Sequence, residues 1–548
     1  MSALKRYFLP ALLIFVMGTA VGLTMDGLFS DDTYEQLQKL EDAYILINRQ
    51  YVEEVDPAEM TEQAIQAMLK ELDPHSSYID TRSMTKVQAD YQGSFGGIGI
   101  WFEAPANDTT VVTSTIPDGP SEAAGLLPGD RIIAVNDSSI IGLTSLDIQN
   151  LIMGPVGTDV DVTVVRRRVT DSINFSITRA KIPLYSIDSS YMLDDQTGFL
   201  RIGRFAMTTH QEFVEKVSEL KAQGMKRLII DLRGNPGGIK QTAVMVADEM
   251  LGGTGVIVST EGRVERENEV DQITAGGILT EESVMILVDE SSASGSEILA
   301  GALQDHDRAM IVGRRTFGKG LVQRPFQMRD GSVIQMTVAR YFMPSGRLIQ
   351  TPYADGDLED YYRDKFEDME QATYNPAEYL SEIPDSLKFK TANGRDVFGG
   401  GGVMPDRVIT PDSTSALSAP IVQNSIARGY AFLFMRNLFD IQGEELRSRW
   451  VEDQDGFLSQ FKVDPAMWQD YLQFAQDEGL PIGEGEDSFS MDEVNQARST
   501  METIIKARMA QRLFRSEAWY PVFNQMDPVI EEAMLLWSEA NSINSLGN

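Results

Sequence analysis

The sequence predicts an α/β protein. A parallel-sheet core spans about residues 186–410, a smaller β domain precedes it at 88–182, and helices lie at both ends. Three observations carry this expectation. Two strand–glycine turn–helix units occur in the core. In the first, Arg227–Leu232 runs into Gly234, Gly237 and Gly238 before a helix from about Gln241 to Leu251. In the second, Val284–Val288 runs into the small-residue turn Glu290–Ser296 before Ile298, Leu299, Ala302 and Leu303 recur at helical spacing. Between 88 and 182 the texture is instead short strands with glycine punctuation, as in the alternating Val160–Val165. At 31–87 and 421–548 the apolar residues are spaced as on amphipathic helices.

At 548 residues the chain has room for several domains, each with its own core. Its net charge of −35 argues against a nucleic-acid partner, because phosphate binding needs a basic surface. With no cysteine, a thiol nucleophile, a disulfide framework and a zinc–cysteine site are all excluded. At the N-terminus Lys5 and Arg6 precede an apolar run from Tyr7 to about Leu23. Residues 1–25 therefore read equally as a cleaved secretory signal or a retained membrane anchor, and either reading exports the rest. The helical region 31–87, with Leu37, Leu40, Tyr44 and Ile47 on one face, is expected to be a packing platform or a dimer surface.

The segment 88–182 has an ordered set of features. Ser94-Phe95-Gly96-Gly97-Ile98-Gly99-Ile100 precedes a strand at Thr110–Ser114; then come Gly119-Pro120-Ser121-Glu122-Ala123-Ala124-Gly125-Leu126, Leu127-Pro128-Gly129-Asp130-Arg131, and Gly154-Pro155-Val156-Gly157-Thr158 before the last strand. This order resembles a PDZ domain. Backbone N–H groups of Gly97, Ile98, Gly99 and Ile100 would converge where glycine lets the chain bend and hold a peptide's terminal carboxylate. The peptide itself would add as a strand.

In the core, two parallel strand–turn–helix units bring both glycine-rich turns to one sheet edge. One turn can then present a serine hydroxyl and the other free backbone N–H groups, the arrangement an oxyanion hole requires. A histidine base is poorly supplied, since the chain has only His75, His210 and His306, none in a convincing triad context. Lys319, in Thr316-Phe317-Gly318-Lys319-Gly320, is the alternative: a desolvated lysine can accept a serine proton near neutral pH. A rival reading takes Gly313–Lys319 as a phosphate loop. The next residue is Gly320 rather than a hydroxyl residue, and Leu321–Phe326 contains a proline and reads as a strand, so the rival is weak. Tyr353–Glu370 reads as a solvated loop or lid, 411–420 as a linker, and 421–548 as helices for packing or interaction.

The order of a PDZ-like domain, Asp231-Leu232-Arg233-Gly234-Asn235-Pro236-Gly237-Gly238, Ser291-Ser292-Ala293-Ser294-Gly295-Ser296-Glu297-Ile298, Thr316–Gln323 and Ala339–Arg347 resembles the carboxyl-terminal processing peptidases, the tail-specific serine proteases of family S41. The resemblance covers about residues 30–410. It implies a ClpP/crotonase-like core, a serine endopeptidase activity on envelope proteins with exposed C-termini, and no metal or other cofactor. Carried over residue by residue, it makes the serine twenty-five places ahead of Lys319 the nucleophile, which selects Ser294, and makes Gln323 the group that holds the lysine amine. It implies oxyanion donors at Gly237, Gly238 and Gly295, the last standing where many relatives carry alanine. It also points to Arg166 as a regulatory arginine. The alternative from another class is a non-catalytic PDZ adaptor that binds protein C-termini.

Overall fold

The computed structural model describes residues 31–544, apart from 105–108, 117–118, 168, 275, 354–357, 392, 411–414, 484 and 486–487. The expected signal or anchor at 1–25 lies outside them. Among the described residues no helix is long and apolar enough to cross a membrane.

Residues up to Leu72 form a unit of their own, with helices α1 (Asp31–Gln50) and α2 (Pro57–Lys70). Asp56 caps α2, accepting from the amides of Ala58 and Glu59. The helical texture expected through residue 85 is interrupted beyond this unit. The Asp73 carboxylate accepts from the N–H groups of His75 and Ser76, both at 2.8 Å, and this turn feeds strand β1 (Ser77–Ile79) rather than continuing as helix. Helix α3 (Thr81–Gln92) follows.

The PDZ domain comprises β2 (Ser94–Gly97), β3 (Ile100–Glu103), β4 (Thr110–Thr115), α4 (Pro120–Ala124), β5 (Arg131–Val135), β6 (Ser138–Ser139), α5 (Ser145–Ile152), β7 (Asp159–Val165), β8 (Ile173–Thr178) and β9 (Ala180–Pro183). Its main sheet runs β3-β4-β5-β7-β8, which leaves β3 at an edge. Ile132, Val135, Val160, Val162 and Val164 are buried on its inner face, as the alternation predicts.

In the core, β10 (Ile187–Met192), β11 (Thr197–Ile202), α6 (Thr209–Ala222), β12 (Arg227–Asp231), α7 (Lys240–Asp248), β13 (Val256–Gly262), β14 (Glu269–Gln272), β15 (Ser283–Val288), α8 (Gly295–Asp305) and β16 (Ala309–Gly313) follow in order. The central sheet is β10-β11-β12-β15-β16-β21, where β21 is Arg407–Val408. All its pairs are parallel except β10–β11. Its strands are apolar on both sides, as a doubly covered parallel sheet requires. Helices α6, α7 and α8 pack on one face. A second sheet, β1-β18-β13-β14, contains β18 (Val333–Phe342), to which β17 (Leu321–Gln327) also pairs. Because Lys319 leads into a strand and not a helix, the phosphate-loop geometry is absent.

The segment read as a loop or lid is α9 (Leu358–Tyr374), followed by α10 (Pro376–Glu382). Its charges hid a buried stripe of Tyr361, Lys365, Met369 and Ala372 at helical spacing. A short hairpin, β19 (Lys388–Lys390) and β20 (Asp396–Phe398), precedes β21. The C-terminal region is helical, as expected, but it does two different jobs. Helices α11 (Pro420–Arg428), α12 (Tyr430–Trp450), α13 (Gln454–Gln460), α14 (Pro465–Asp477) and α15 (Met491–Phe514) share their own hydrophobic core. After the short α16 (Tyr520–Phe523), α17 (Pro528–Leu535) and α18 (Trp537–Asn544) cover the second face of the central sheet, where Val529, Ile530 and Trp537 meet Ile229, Met285 and Met310.

Candidate active site

Strands β12 and β15 are parallel neighbours, so the turns leaving their carboxyl ends meet. The Ala293 N–H donates to the Asn235 carbonyl at 3.0 Å, and the Ser296 hydroxyl donates to the same carbonyl at 3.0 Å. Gly237 approaches so closely that a Cβ there would lie 2.5 Å from the Ala293 carbonyl oxygen and 2.7 Å from Ser294 Cβ. Ser294 ends this turn with φ 53 and ψ −111, a backbone conformation L-residues rarely adopt. Strain of this kind projects a side chain off the sheet edge at the start of a helix. Ser294 is only partly buried, so its hydroxyl is reachable.

The backbone donors divide. The Gly237 N–H, expected to be a free oxyanion donor, is donated to Asn235 Oδ1 at 2.8 Å, because the Asn235 side chain folds back to brace the turn. Gly238 and Gly295 donate to no acceptor among the described residues. Both therefore remain available to a developing negative charge.

Lys319 lies between Gly318 and Gly320 ahead of β17. Its Nζ donates to Gln323 Oε1 at 2.8 Å, and Gln323 in turn donates to the His75 carbonyl. No hydrogen bond joins Lys319 to the Ser294 hydroxyl in this arrangement. Burial holds the Lys319 amine below the usual lysine range, opposed by the charges of Glu297 and Asp73.

Two residues without a functional signature in the sequence, Glu297 and Tyr341, tie the serine and lysine turns together. The buried Glu297 carboxylate accepts from the N–H of Ser294 at 2.9 Å, Lys319 at 2.8 Å and Gly318 at 2.6 Å, and from the Thr316 hydroxyl at 2.6 Å. Burial raises the Glu297 pKa, and these four donors oppose that. Tyr341, also buried, donates to the carbonyls of both Ser294 and Lys319. The only sequence signal for either is position: Glu297 in the first turn of the serine helix, Tyr341 in the Ala339–Arg347 motif. Arg347 of that motif is fully buried and pairs with Asp305 at 2.8 Å, a structural role.

His75 and Lys365 close the other side of the lysine turn. His75 packs near Phe317 and Tyr361, with ring centres 6.0 and 6.1 Å apart. Its pKa is lowered to about 4 by burial and then by the charges of Lys319 and Lys365. Lys365, 2% exposed, sets its Nζ 2.9 Å from the centre of the Phe317 ring. Burial pushes it down to about 7, opposed by Glu297 and assisted by Arg315 and Lys319. His210 pairs with Glu249 and His306 with the Val256 carbonyl, both at 2.8 Å and away from the serine. Among the described residues no cluster of His, Asp or Glu is arranged to hold a metal ion.

In the PDZ domain Gly97, Ile98, Gly99 and Ile100 form the connection from β2 to the edge strand β3, with Gly99 at φ +74. The N–H groups of Ile98 and Gly99 have no acceptor among the described residues. Arg166 is not brought to the serine. It forks onto Asp130 at 2.7 and 2.8 Å and donates to the Gly125 carbonyl, all within the PDZ domain.

Comparison with known proteins follows the same division. The profile of Peptidase family S41 matches residues 196–359, that of the activating protease CtpB N-terminal domain residues 23–83, and that of a PDZ domain residues 111–166. A carboxy-terminal-processing protease of Bartonella bacilliformis is 35% identical over 325 residues, 58% of this chain and 74% of that one. The carboxy-terminal processing protease CtpA of Bacillus subtilis is 31% identical over 392 residues, 71% of this chain and 82% of that one. The solved structure of a photosystem II D1 C-terminal processing protease aligns at 25% identity and a TM-score of 0.35, covering 68% of this chain and 86% of that one.

Proposed function

This chain belongs to peptidase family S41 and is a carboxy-terminal processing serine protease with a PDZ domain, and from that premise we propose that it is an exported endopeptidase working through a Ser294–Lys319 dyad. Lys319 Nζ accepts the Ser294 proton as the hydroxyl oxygen attacks a peptide carbonyl. The amides of Gly238 and Gly295 hold the resulting oxyanion. The lysine ammonium then protonates the leaving amine, and water activated by the neutral lysine releases the acyl group. The PDZ domain takes the substrate's terminal carboxylate on the amides of Ile98 and Gly99, and its last residues add to the edge of β3. The substrates are envelope proteins with exposed C-termini, a reading supported by the export pattern at 1–25.

The observation that carries the dyad is the Glu297 carboxylate. It binds the backbone of Ser294 and of Lys319 at once, so a partly buried hydroxyl and a desolvated amine are held on adjoining turns. In the resting arrangement Gln323 holds the amine, so catalysis includes a movement of Lys319 from Gln323 towards Ser294. The test is cleavage of an unfolded protein with an apolar C-terminus by wild type, Ser294→Ala and Lys319→Ala. Both variants should lose cleavage by about a thousandfold or more. Equal cleavage by all three would sink the dyad. Fusing residues 1–30 to a reporter active only outside the cytoplasm tests export.

A further inference from the structure

The C-terminal helices do more than pack on one another. They stand against the outer face of the PDZ edge strand: Arg512 pairs with Glu103 of β3 at 3.2 Å, and Arg131 of β5 pairs with Asp440 of α12 at 3.1 Å. Between the helices and the PDZ strands, beside the Arg512–Glu103 pair, lies a cavity of about 220 Å³. Its PDZ wall includes Trp101 and Glu103, and its helical wall carries Arg508, Arg512 and Arg515.

The sign of that wall is unusual for a chain with net charge −35. Among the described residues Glu103 is the only carboxylate lining the cavity, and Arg512 is already bound to it. Arg508 donates to Gln511 at 2.9 Å and stacks over Trp519 at 4.4 Å, and among the described residues no carboxylate is in ion-pair range of it. Arg515, exposed and held at φ 78 where α15 ends, makes no ion pair among the described residues. Burial lowers the pKa of Arg508, with partial compensation from Glu103, and that of Arg512, with partial compensation from Glu103 and Asp440 and a further lowering by Arg436. The cavity is therefore short of negative charge.

Strand alternation fixes what could enter it. Ile100 and Phe102 pack against the PDZ core while Trp101 and Glu103 face the cavity, to which Phe102 adds one edge beside a register shift in the β3–β4 ladder. In an antiparallel pair, directly opposed residues share a face. A peptide added to the free edge of β3, with its carboxylate on Ile98 and Gly99, places its penultimate side chain across from Trp101 and on the arginine side.

We propose that this cavity is a specificity subsite, in which Arg508 and Arg515 of the C-terminal helices bind an acidic penultimate side chain of the peptide captured on β3. The subsite rests on the PDZ capture reading above and adds to it a substrate class: C-termini with an acidic residue next to last. Two features of the wall suit a carboxylate. Arginine offers paired donors to both oxygens, and Trp101, half exposed, gives the aliphatic part of the side chain a flat partner.

The test uses the full chain carrying Ser294→Ala to prevent cleavage. Fluorescein-labelled decapeptides with Asp, Ala or Lys at the penultimate position are titrated by anisotropy, alongside an amidated Asp peptide. The Asp peptide should bind about tenfold tighter than the Ala peptide, with Lys weaker still, and the preference should shrink in high salt. Arg515→Ala, on an exposed side chain, should abolish the preference while leaving the Ala peptide's affinity unchanged. Binding that ignores the penultimate residue, or a preference that survives both Arg515→Ala and Arg508→Gln, overturns the subsite while the capture reading stands. Equal binding of the amidated and free-acid peptides overturns the capture reading itself.

Discussion

Glu297→Gln is the sharpest perturbation of the catalytic half, because it changes one atom at the point where the two turns join. Oε1 accepts from Thr316 and Gly318, and Oε2 accepts from Ser294 and Lys319. Glutamine keeps only one acceptor oxygen. Whichever way its amide turns, two donors lose their acceptor and face an NH2 group. Two lost hydrogen bonds to a charged acceptor, at about 2 kcal/mol each, put the cost near 4 kcal/mol. For a protein of this size that is a fall in Tm of about 3–4 °C. The consequence for chemistry should be larger than for stability: in either orientation the lysine loses the Glu297 charge, and if the amide turns its nitrogen towards Ser294 and Lys319 both turns are also released. Differential scanning fluorimetry and the rate of Ser294 labelling by a fluorophosphonate probe give the two readouts. If Glu297 were instead protonated in the folded protein, glutamine would mimic it. Wild-type Tm together with wild-type labelling would refute the account of a charged hub.

Gly237→Ala would place a methyl group 2.5 Å from the Ala293 carbonyl oxygen at φ +95, and should abolish peptide cleavage, with Ser294 labelling as the check. Lys365→Met should raise stability at neutral pH. The folded-state pKa of Lys365, about 7, lies below the unfolded lysine value of 10.5, so wild type gains stability as pH rises through that window and the variant does not. The difference, up to about 4 kcal/mol less what the Phe317 stacking returns, should appear in urea melts compared at pH 7 and pH 10. Ending the chain after Met526 removes the cover over Ile229, Met285 and Met310, along with the Asp527 carboxylate that pairs with Arg233 at 2.8 Å. The shortened protein should aggregate, as size-exclusion chromatography would show; a monomer with wild-type cleavage would contradict the packing described.

Much of the site was legible because it is local. Strand lengths, glycine turns and the helix after Ser294 are written in contiguous residues, so the meeting of the β12 and β15 turns follows from two parallel units. What escaped is what long-range folding supplies. His75 reaches Gln323 from far earlier in the chain, through a backbone carbonyl that carries no residue signature. Glu297 resembles any acidic residue in a first helical turn, and only burial makes it a hub. Lys365 was unreadable for the opposite reason, since lysine in an acidic stretch suggests solvent. The charges of α9 outweigh its apolar stripe in the sequence, so the helix has the composition of a loop. The Gly237 donor failed as an expectation because Asn235, two residues away, competes for it, and side-chain competition of that kind has no period or spacing.

The placement of α17 and α18 bears on how this protein comes into being. A parallel sheet with one bare apolar face is not a finished object, and among the described residues much of that face is covered by 528–544. The serine, the lysine and the glycine turns are all synthesised well over a hundred residues earlier. During translation the catalytic half must therefore wait, with its sheet open on one side and Arg233 lacking Asp527. The cover for this sheet is thus among the last parts of the chain to be made, and the catalytic turns gain their finished support only once residues 528–544 have joined the fold.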